Sequence, residues 1–139
     1  ALARTLSLSS YALTAAGRAP DAKADARRAI SIVEPVLAKR PSDQGGRLAL
    51  ADAYLALGDA AHRTGDTTAA RRAWNGALAA VDSVTRATGV AEFRVLSATA
   101  LASLGRVEDA QPIVRTLEQQ GYRRPRWLAR MRAAGLLAQ

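Results

Sequence analysis

The chain contains no cysteine, and this absence removes three kinds of chemistry at once. None of its 139 residues can form a disulfide, supply a thiolate to a metal ion or act as a cysteine nucleophile. Reducing and oxidising compartments both tolerate a cysteine-free chain. The compartment therefore stays open, with the cytoplasm slightly favoured.

Histidine is almost absent too, since His62 is the only one. A metal site built on a pair of histidines is therefore excluded. The glycine pair Gly45-Gly46 lacks the lysine and hydroxyl residue of a phosphate-binding loop. Asp52, Asp59 and His62 share one helical face, which could serve as an acid–base site but is better explained as a solvated polar face. We expect a non-catalytic protein without metal or cofactor.

Aromatic residues make up only 4% of the chain, and no apolar run approaches the roughly 20 residues of a membrane span. Alanine and arginine dominate, and both favour helices, whereas the alternation typical of strands is missing. We therefore predict an all-α fold with a core of Ala, Leu and Val. The chain starts at Ala1 without an initiator methionine or a signal-peptide pattern, so we expect a fragment of a longer protein.

The segment 54–82 predicts two helices joined by a tight turn. Gly58 and Ala61 lie one helical turn apart, which allows another backbone to come close. Gly65 suits the C-terminal cap of the first helix and Asp66 the N-terminal cap of the second. The second helix then carries one apolar stripe, formed by Ala70, Trp74, Ala77 and Val81.

This spacing resembles the tetratricopeptide repeat, a helical hairpin of about 34 residues. The matching pattern reads Tyr54-x2-Leu57-Gly58-x2-Ala61, then Ala70-x3-Trp74. The chain departs from the family pattern at Tyr54, Ala61, Trp74 and Asp82. The alternative is an ordinary amphipathic helical hairpin, and a second copy argues for the repeat.

A second copy lies forty residues further on. Ala60, Gly65, Ala70, Trp74 and Ala77 correspond to Ala100, Gly105, Ala110, Val114 and Leu117. Because forty exceeds the family's period, we expect the second helix of the middle repeat to extend beyond Val81 toward Arg86, before a break at Thr88-Gly89. The resemblance implies a single domain, 1–139, with approximate repeats 2–40, 47–87 and 90–121 and a capping helix 124–135.

The first repeat is the most degenerate one. The first helix is outlined by Leu6, Leu8, Leu13 and Gly17. The second is outlined by Ala22, Ala26, either Ala29 or Ile30, Val33, and either Val36 or Leu37. We place Ala19-Pro20 in the turn between them. Pro35 falls inside the second helix and should kink or interrupt it.

The resemblance also implies a function, because tetratricopeptide repeats bind partner segments in a groove lined by the first helix of each repeat. We therefore expect a protein–protein interaction scaffold that holds a protein or peptide. The implied groove residues are Asp52, Leu55, Asp59, His62, Arg63, Glu92, Val95 and Thr99. Family members that bind chaperone C-terminal tails use lysine and asparagine in this groove. Here Asp59 and Thr99 stand at the asparagine position and lysine is missing, which argues against chaperone tails as ligands.

The net charge of +8 is densest near the C-terminus, in a basic patch of Arg123, Arg124, Arg126 and Arg130. Trp127, Leu128 and Met131 form an apolar face on the same segment. We favour a capping helix whose apolar side covers the last repeat while its arginines face water. The alternative is a patch that binds a polyanion. Acidic residues among the other basic ones, and the lack of interleaved stacking aromatics, argue against nucleic acid.

The C-terminal quarter carries a second resemblance, to tetratricopeptide regions attached to bacterial serine/threonine protein kinases. The matching pieces are Leu104-Gly105-Arg106, Pro112, Gly121-Tyr122-Arg123, Pro125 and Ala134-Gly135-Leu136. The motifs of a kinase domain itself are missing. This resemblance implies, as an alternative, a regulatory or oligomerisation segment of such a kinase, which could lie outside the cytoplasm.

Overall fold

The computed structural model describes residues 2–87 and 90–138, without the side chains of 83–87. These residues form seven α-helices, which confirms the predicted all-α class. The helices are α1 (Leu2–Ala15), α2 (Ala19–Lys39), α3 (Gln44–Arg63), α4 (Thr67–Ala87), α5 (Ala91–Ser103), α6 (Val107–Gln119) and α7 (Pro125–Ala133). None of them is long and apolar enough to cross a membrane.

The helices pack in sequence, as three consecutive hairpins followed by α7. Each of the helices α1 to α5 contacts the next one along the chain. Each odd-numbered helix also contacts the next odd-numbered helix, so that α1, α3, α5 and α7 lie side by side. Even-numbered helices make no such contacts with one another within the described residues. The odd-numbered helices therefore form one continuous surface.

The same glycine turn closes all three hairpins. Gly17, Gly65 and Gly105 each follow an odd-numbered helix with φ between 77° and 79°, a left-handed conformation in which a Cβ would be strained. The Gly65 N–H donates to the carbonyl of His62 at 3.0 Å. Asp66 then caps α4, because its carboxylate accepts a hydrogen bond from the backbone N–H of the third residue beyond it at 3.1 Å. The cap and turn predicted at this site are confirmed.

The predicted stripe on α4 lies in the core. Its members Ala70, Trp74, Ala77 and Val81 are all buried, and so are their counterparts Ala110, Val114 and Leu117 on α6. Trp74 packs directly against Gly58, where an added Cβ would collide with the indole. The small residue on α3 thus makes room for the large one on α4, so that an indole side chain, and not the backbone predicted from the spacing, lies against Gly58.

The structure corrects two predictions about the first hairpin. Ala19-Pro20 does not lie in the turn but opens α2, because a proline fits the first turn of a helix, where backbone N–H groups have no partner. Of the two effects predicted for Pro35, interruption of the helix does not occur, since α2 continues through it to Lys39. Leu8 and Val36 are 55% and 44% exposed, and of the alternatives Val36 and Leu37 it is Leu37 that packs against the core.

The predicted extension of the middle hairpin is confirmed, since α4 continues to Ala87. The break predicted at Thr88-Gly89 lies outside the described residues. The predicted apolar face of the C-terminal helix is also in place. Trp127 and Met131 are buried in one cluster with Val114 and Leu117 of α6. Helix α7 therefore covers the end of the third hairpin.

Candidate binding cleft

A cleft of about 200 Å³ opens on the surface formed by the odd-numbered helices. Its wall takes residues from α1, α3 and α5 on one side and from α7 and the turn before it on the other. We call it the arginine cleft. It is lined by Tyr11, Asp52, Leu55, Val95, Leu96, Thr99, Tyr122, Arg124, Arg126, Trp127 and Arg130.

An ion pair joins α3 to α7 beside the arginine cleft. Both terminal nitrogens of Arg130 donate to the carboxylate of Asp59, at 2.9 and 2.8 Å. The same carboxylate accepts a hydrogen bond from Trp74 Nε1 at 3.1 Å. Arg130 also donates to Ser103 Oγ on α5 at 3.0 Å. Asp59 thus connects the core tryptophan of the middle hairpin to the last helix.

A second bridge joins α7 to α1. The guanidinium of Arg126 stacks over the Tyr11 ring, with its central carbon 4.0 Å from the ring centroid. The Tyr11 hydroxyl in turn donates to the carboxylate of Asp52 on α3 at 3.1 Å. Residues separated by more than a hundred positions in sequence therefore meet across the cleft.

Burial sets the ionisation of the groups in the wall. It raises the pKa of Asp52, against the opposing effects of the Tyr11 hydrogen bond and the positive charge of Arg126. Burial, followed by the charge of Asp52, raises the pKa of Tyr11 well above its usual range. For Arg130, burial alone would lower the pKa, but the charge of Asp59 and the hydrogen bonds to it raise the pKa overall. Arg130 is therefore a permanent cation held by its partner.

A neighbouring cleft of about 410 Å³ continues along the same surface. The two clefts share Asp52, Val95, Leu96 and Tyr122 in their walls. The neighbouring cleft extends toward the start of α1, α3 and α5, and its remaining lining residues are Ala3, Arg4, Gly45, Leu48, Ala49 and Glu92. The pair forms a groove across three helices of three hairpins.

Most residues of the predicted groove lie on this surface. The arginine cleft is lined by Asp52, Leu55, Val95 and Thr99, the neighbouring cleft by Glu92, and Asp59 lies behind the cleft in its ion pair. His62 and Arg63 line neither cleft in the described part of the chain. Both are exposed near the end of α3, where His62 lies beside the Trp74 ring at a centroid distance of 5.6 Å.

The predicted basic patch divides into two parts. Arg124, Arg126 and Arg130 line the arginine cleft, whereas the exposed Arg123 lines neither cleft among the described residues. The expectation that the arginines of the capping helix face water is wrong for Arg130, whose side chain is only 29% exposed. Its pairing with Asp59 was not visible in the sequence because no local spacing relates the two residues.

Two aromatic residues of the wall, Tyr11 and Tyr122, were not predicted as cleft residues from the sequence. Tyr11 was overlooked because α1 was interpreted through its apolar residues alone. Tyr122 packs edge-on against Trp127, with ring centroids 5.1 Å apart and planes at 86°. The signal that could have found them is the scarcity of aromatics, since three of the few in this chain line one cleft.

Comparisons of the chain with protein-family models, with curated proteins and with solved structures give no match. Within the described residues, no group of three or more histidine, aspartate or glutamate side chains could hold a metal ion. The geometry of the cleft is therefore the basis of the functional argument.

Proposed function

We propose that this domain is a tetratricopeptide-like stack of three helical hairpins that binds a segment of another protein. The observation that carries the proposal is the position of the two clefts, which cross α1, α3 and α5 on the surface shared by the odd-numbered helices. A groove that runs across successive hairpins suits an extended peptide or one face of a helix.

Two further observations support the proposal. The glycine turn is repeated after α1, α3 and α5 with nearly the same φ, and the stripes on α4 and α6 bury corresponding residues. These are the features of stacked, similar units. The wall of the groove combines aliphatic residues with a few charged ones, as protein-recognition surfaces do.

The test uses a library of random peptides selected for binding to the purified domain. Val95, which lines both clefts, is replaced by lysine, and the matched control is the same substitution at Val36, which is exposed on α2. We expect selected peptides without acidic residues to bind the wild type and Val36→Lys alike, but Val95→Lys at least about tenfold more weakly, since such a peptide leaves the lysine charge buried and unpaired.

Thermal melting checks that each variant is folded, and Val95→Gln serves as a milder substitution if the lysine lowers the melting temperature. Equal binding to Val95→Lys and to the wild type would locate recognition outside the groove. Failure to enrich any peptide would contradict peptide binding itself.

A further inference from the structure

The arginine cleft presents more hydrogen-bond donors than acceptors. Its wall contains Arg124, Arg126 and Arg130, which can only donate, and a single carboxylate, that of Asp52. The Tyr11 hydroxyl already donates to Asp52. Asp59 neutralises Arg130 from behind. An excess of positive charge remains on the side of the cleft formed by Arg124 and Arg126.

The contact of Arg126 leaves its donors available. The guanidinium lies over the Tyr11 ring, and this contact with the face of the ring does not pair its N–H donors with an oxygen acceptor. No described residue accepts a hydrogen bond from Arg126. The Tyr11 ring therefore positions the guanidinium of Arg126 but leaves its N–H groups without an acceptor among the described residues.

Trp127 is a second residue of the wall with an unpaired hydrogen-bond donor. It lines the cleft, is 5% exposed, and its Nε1–H has no acceptor among the described residues. The other tryptophan, Trp74, donates to Asp59. Buried indole N–H groups normally have a partner, and that of Trp127, which is shielded from solvent, lacks one among the described residues beside this cleft.

We infer that the arginine cleft recognises an acidic peptide, a refinement that rests on the proposed function. A carboxylate of the peptide lies against Arg124 and Arg126, and an adjacent aliphatic side chain packs on Leu55, Val95 and Leu96. The aliphatic floor and the volume of about 200 Å³ suit a side chain better than a nucleotide.

Three labelled peptides of equal length test this inference, in which leucine alternates with glutamate, glutamine or lysine. Binding is measured by fluorescence anisotropy at physiological salt. We expect the glutamate peptide to bind at least about tenfold more tightly than the glutamine peptide, the difference that one charge-assisted hydrogen bond can supply. The lysine peptide should bind most weakly.

Matched arginine variants locate the charge preference. Arg124→Gln and Arg126→Gln should each weaken binding of the glutamate peptide by about tenfold while leaving the glutamine peptide unchanged. Arg28→Gln, an exposed position on α2, is the control and should change neither. An NMR spectrum supplies a further readout, since the indole N–H signal of Trp127 should shift on binding and that of Trp74 should not.

The outcomes separate this inference from the proposed function. If glutamate and glutamine peptides bind equally and Val95→Lys abolishes both, the groove binds peptides without the acidic preference and the inference is wrong. If neither binds while the random library yields groove-dependent peptides of another composition, the inference is equally wrong and the proposed function stands. An oligonucleotide that binds through Arg124 and Arg126 more tightly than the glutamate peptide would overturn the inference in favour of nucleic acid.

Discussion

At the scale of the residue, Asp52 both connects two helices and lines the clefts. Its carboxylate accepts a hydrogen bond from Tyr11, lines both clefts and lies near Arg126, yet burial still raises its pKa above the ordinary value of 3.8. The charged form is therefore disfavoured in the folded protein. A group of this kind makes stability depend on pH in a predictable direction.

We predict that titration of Asp52 lowers the free energy of unfolding as the pH rises. Between its ordinary pKa and its raised pKa, the folded state binds more protons than the unfolded state, so the free energy of unfolding falls with increasing pH through that window. Asp52→Asn keeps an oxygen for the Tyr11 hydroxyl and removes the titration. Urea unfolding of both proteins across the acidic and neutral range measures the difference.

The stability of Asp52→Asn relative to the wild type should increase as the pH rises. The comparison with the asparagine variant removes the contributions of the other carboxylates, which titrate in both proteins. A difference that stays constant, or that falls with rising pH, would contradict the burial argument.

At the scale of the element, close approach between α3 and α4 organises the middle hairpin. Gly58 faces the Trp74 indole, and a Cβ at this position would meet its Cδ1 and Nε1 atoms. Trp74 cannot move away freely, because it is buried and hydrogen-bonded to Asp59. The pair is a steric match between two helices.

We predict that Gly58→Ala destabilises the domain by about 1–3 kcal/mol, although alanine favours a helix by about 1 kcal/mol over glycine. The control is Gly45→Ala on the same helix, where a Cβ meets only Asp43 Oδ1 at 3.5 Å. That variant should keep its stability or gain up to about 1 kcal/mol. Equal effects of the two substitutions, measured by chemical denaturation, would mean that the contact with Trp74 is unimportant.

The hairpins were predictable from sequence because their determinants are local. The stripe on α4 repeats at helical spacing, and the turn at Gly65-Asp66 needs only a glycine and a capping aspartate. The first hairpin was predicted less well, because a proline in the first turn of a helix and a proline in a loop look alike in sequence. Pro20 is the example, since it opens α2.

At the scale of the whole molecule, the cleft depends on contacts that no local pattern encodes. Asp59 and Arg130 lie 71 positions apart, and their pairing requires α7 to return to the surface formed by α3 and α5. The sequence indicated the helix and its apolar face but not the direction of its arginines. The helix that carries each of these side chains could thus be predicted from the sequence, but the contact between them could not.

We predict that the Asp59–Arg130 pair couples α7 to the middle hairpin. Its side chains are 19% and 29% exposed, so a double-mutant cycle with Asp59→Asn and Arg130→Gln should give a coupling energy of about 1–3 kcal/mol. The matched pair Arg106–Asp109 on the third hairpin is 52% and 57% exposed. Its cycle should give less than about 1 kcal/mol, because solvent screens it. Equal coupling energies for the two pairs would show that the lower exposure of the Asp59–Arg130 pair does not strengthen it.

The stacking of Arg126 on Tyr11 has a topological consequence. In a row of helices that touch only their neighbours, the first and last members are free to open independently of each other. Here the contacts form a closed circuit, since α7 returns to α1 by this stack and to α3 by its ion pair. Neither end of the row can separate without breaking a contact made by the other.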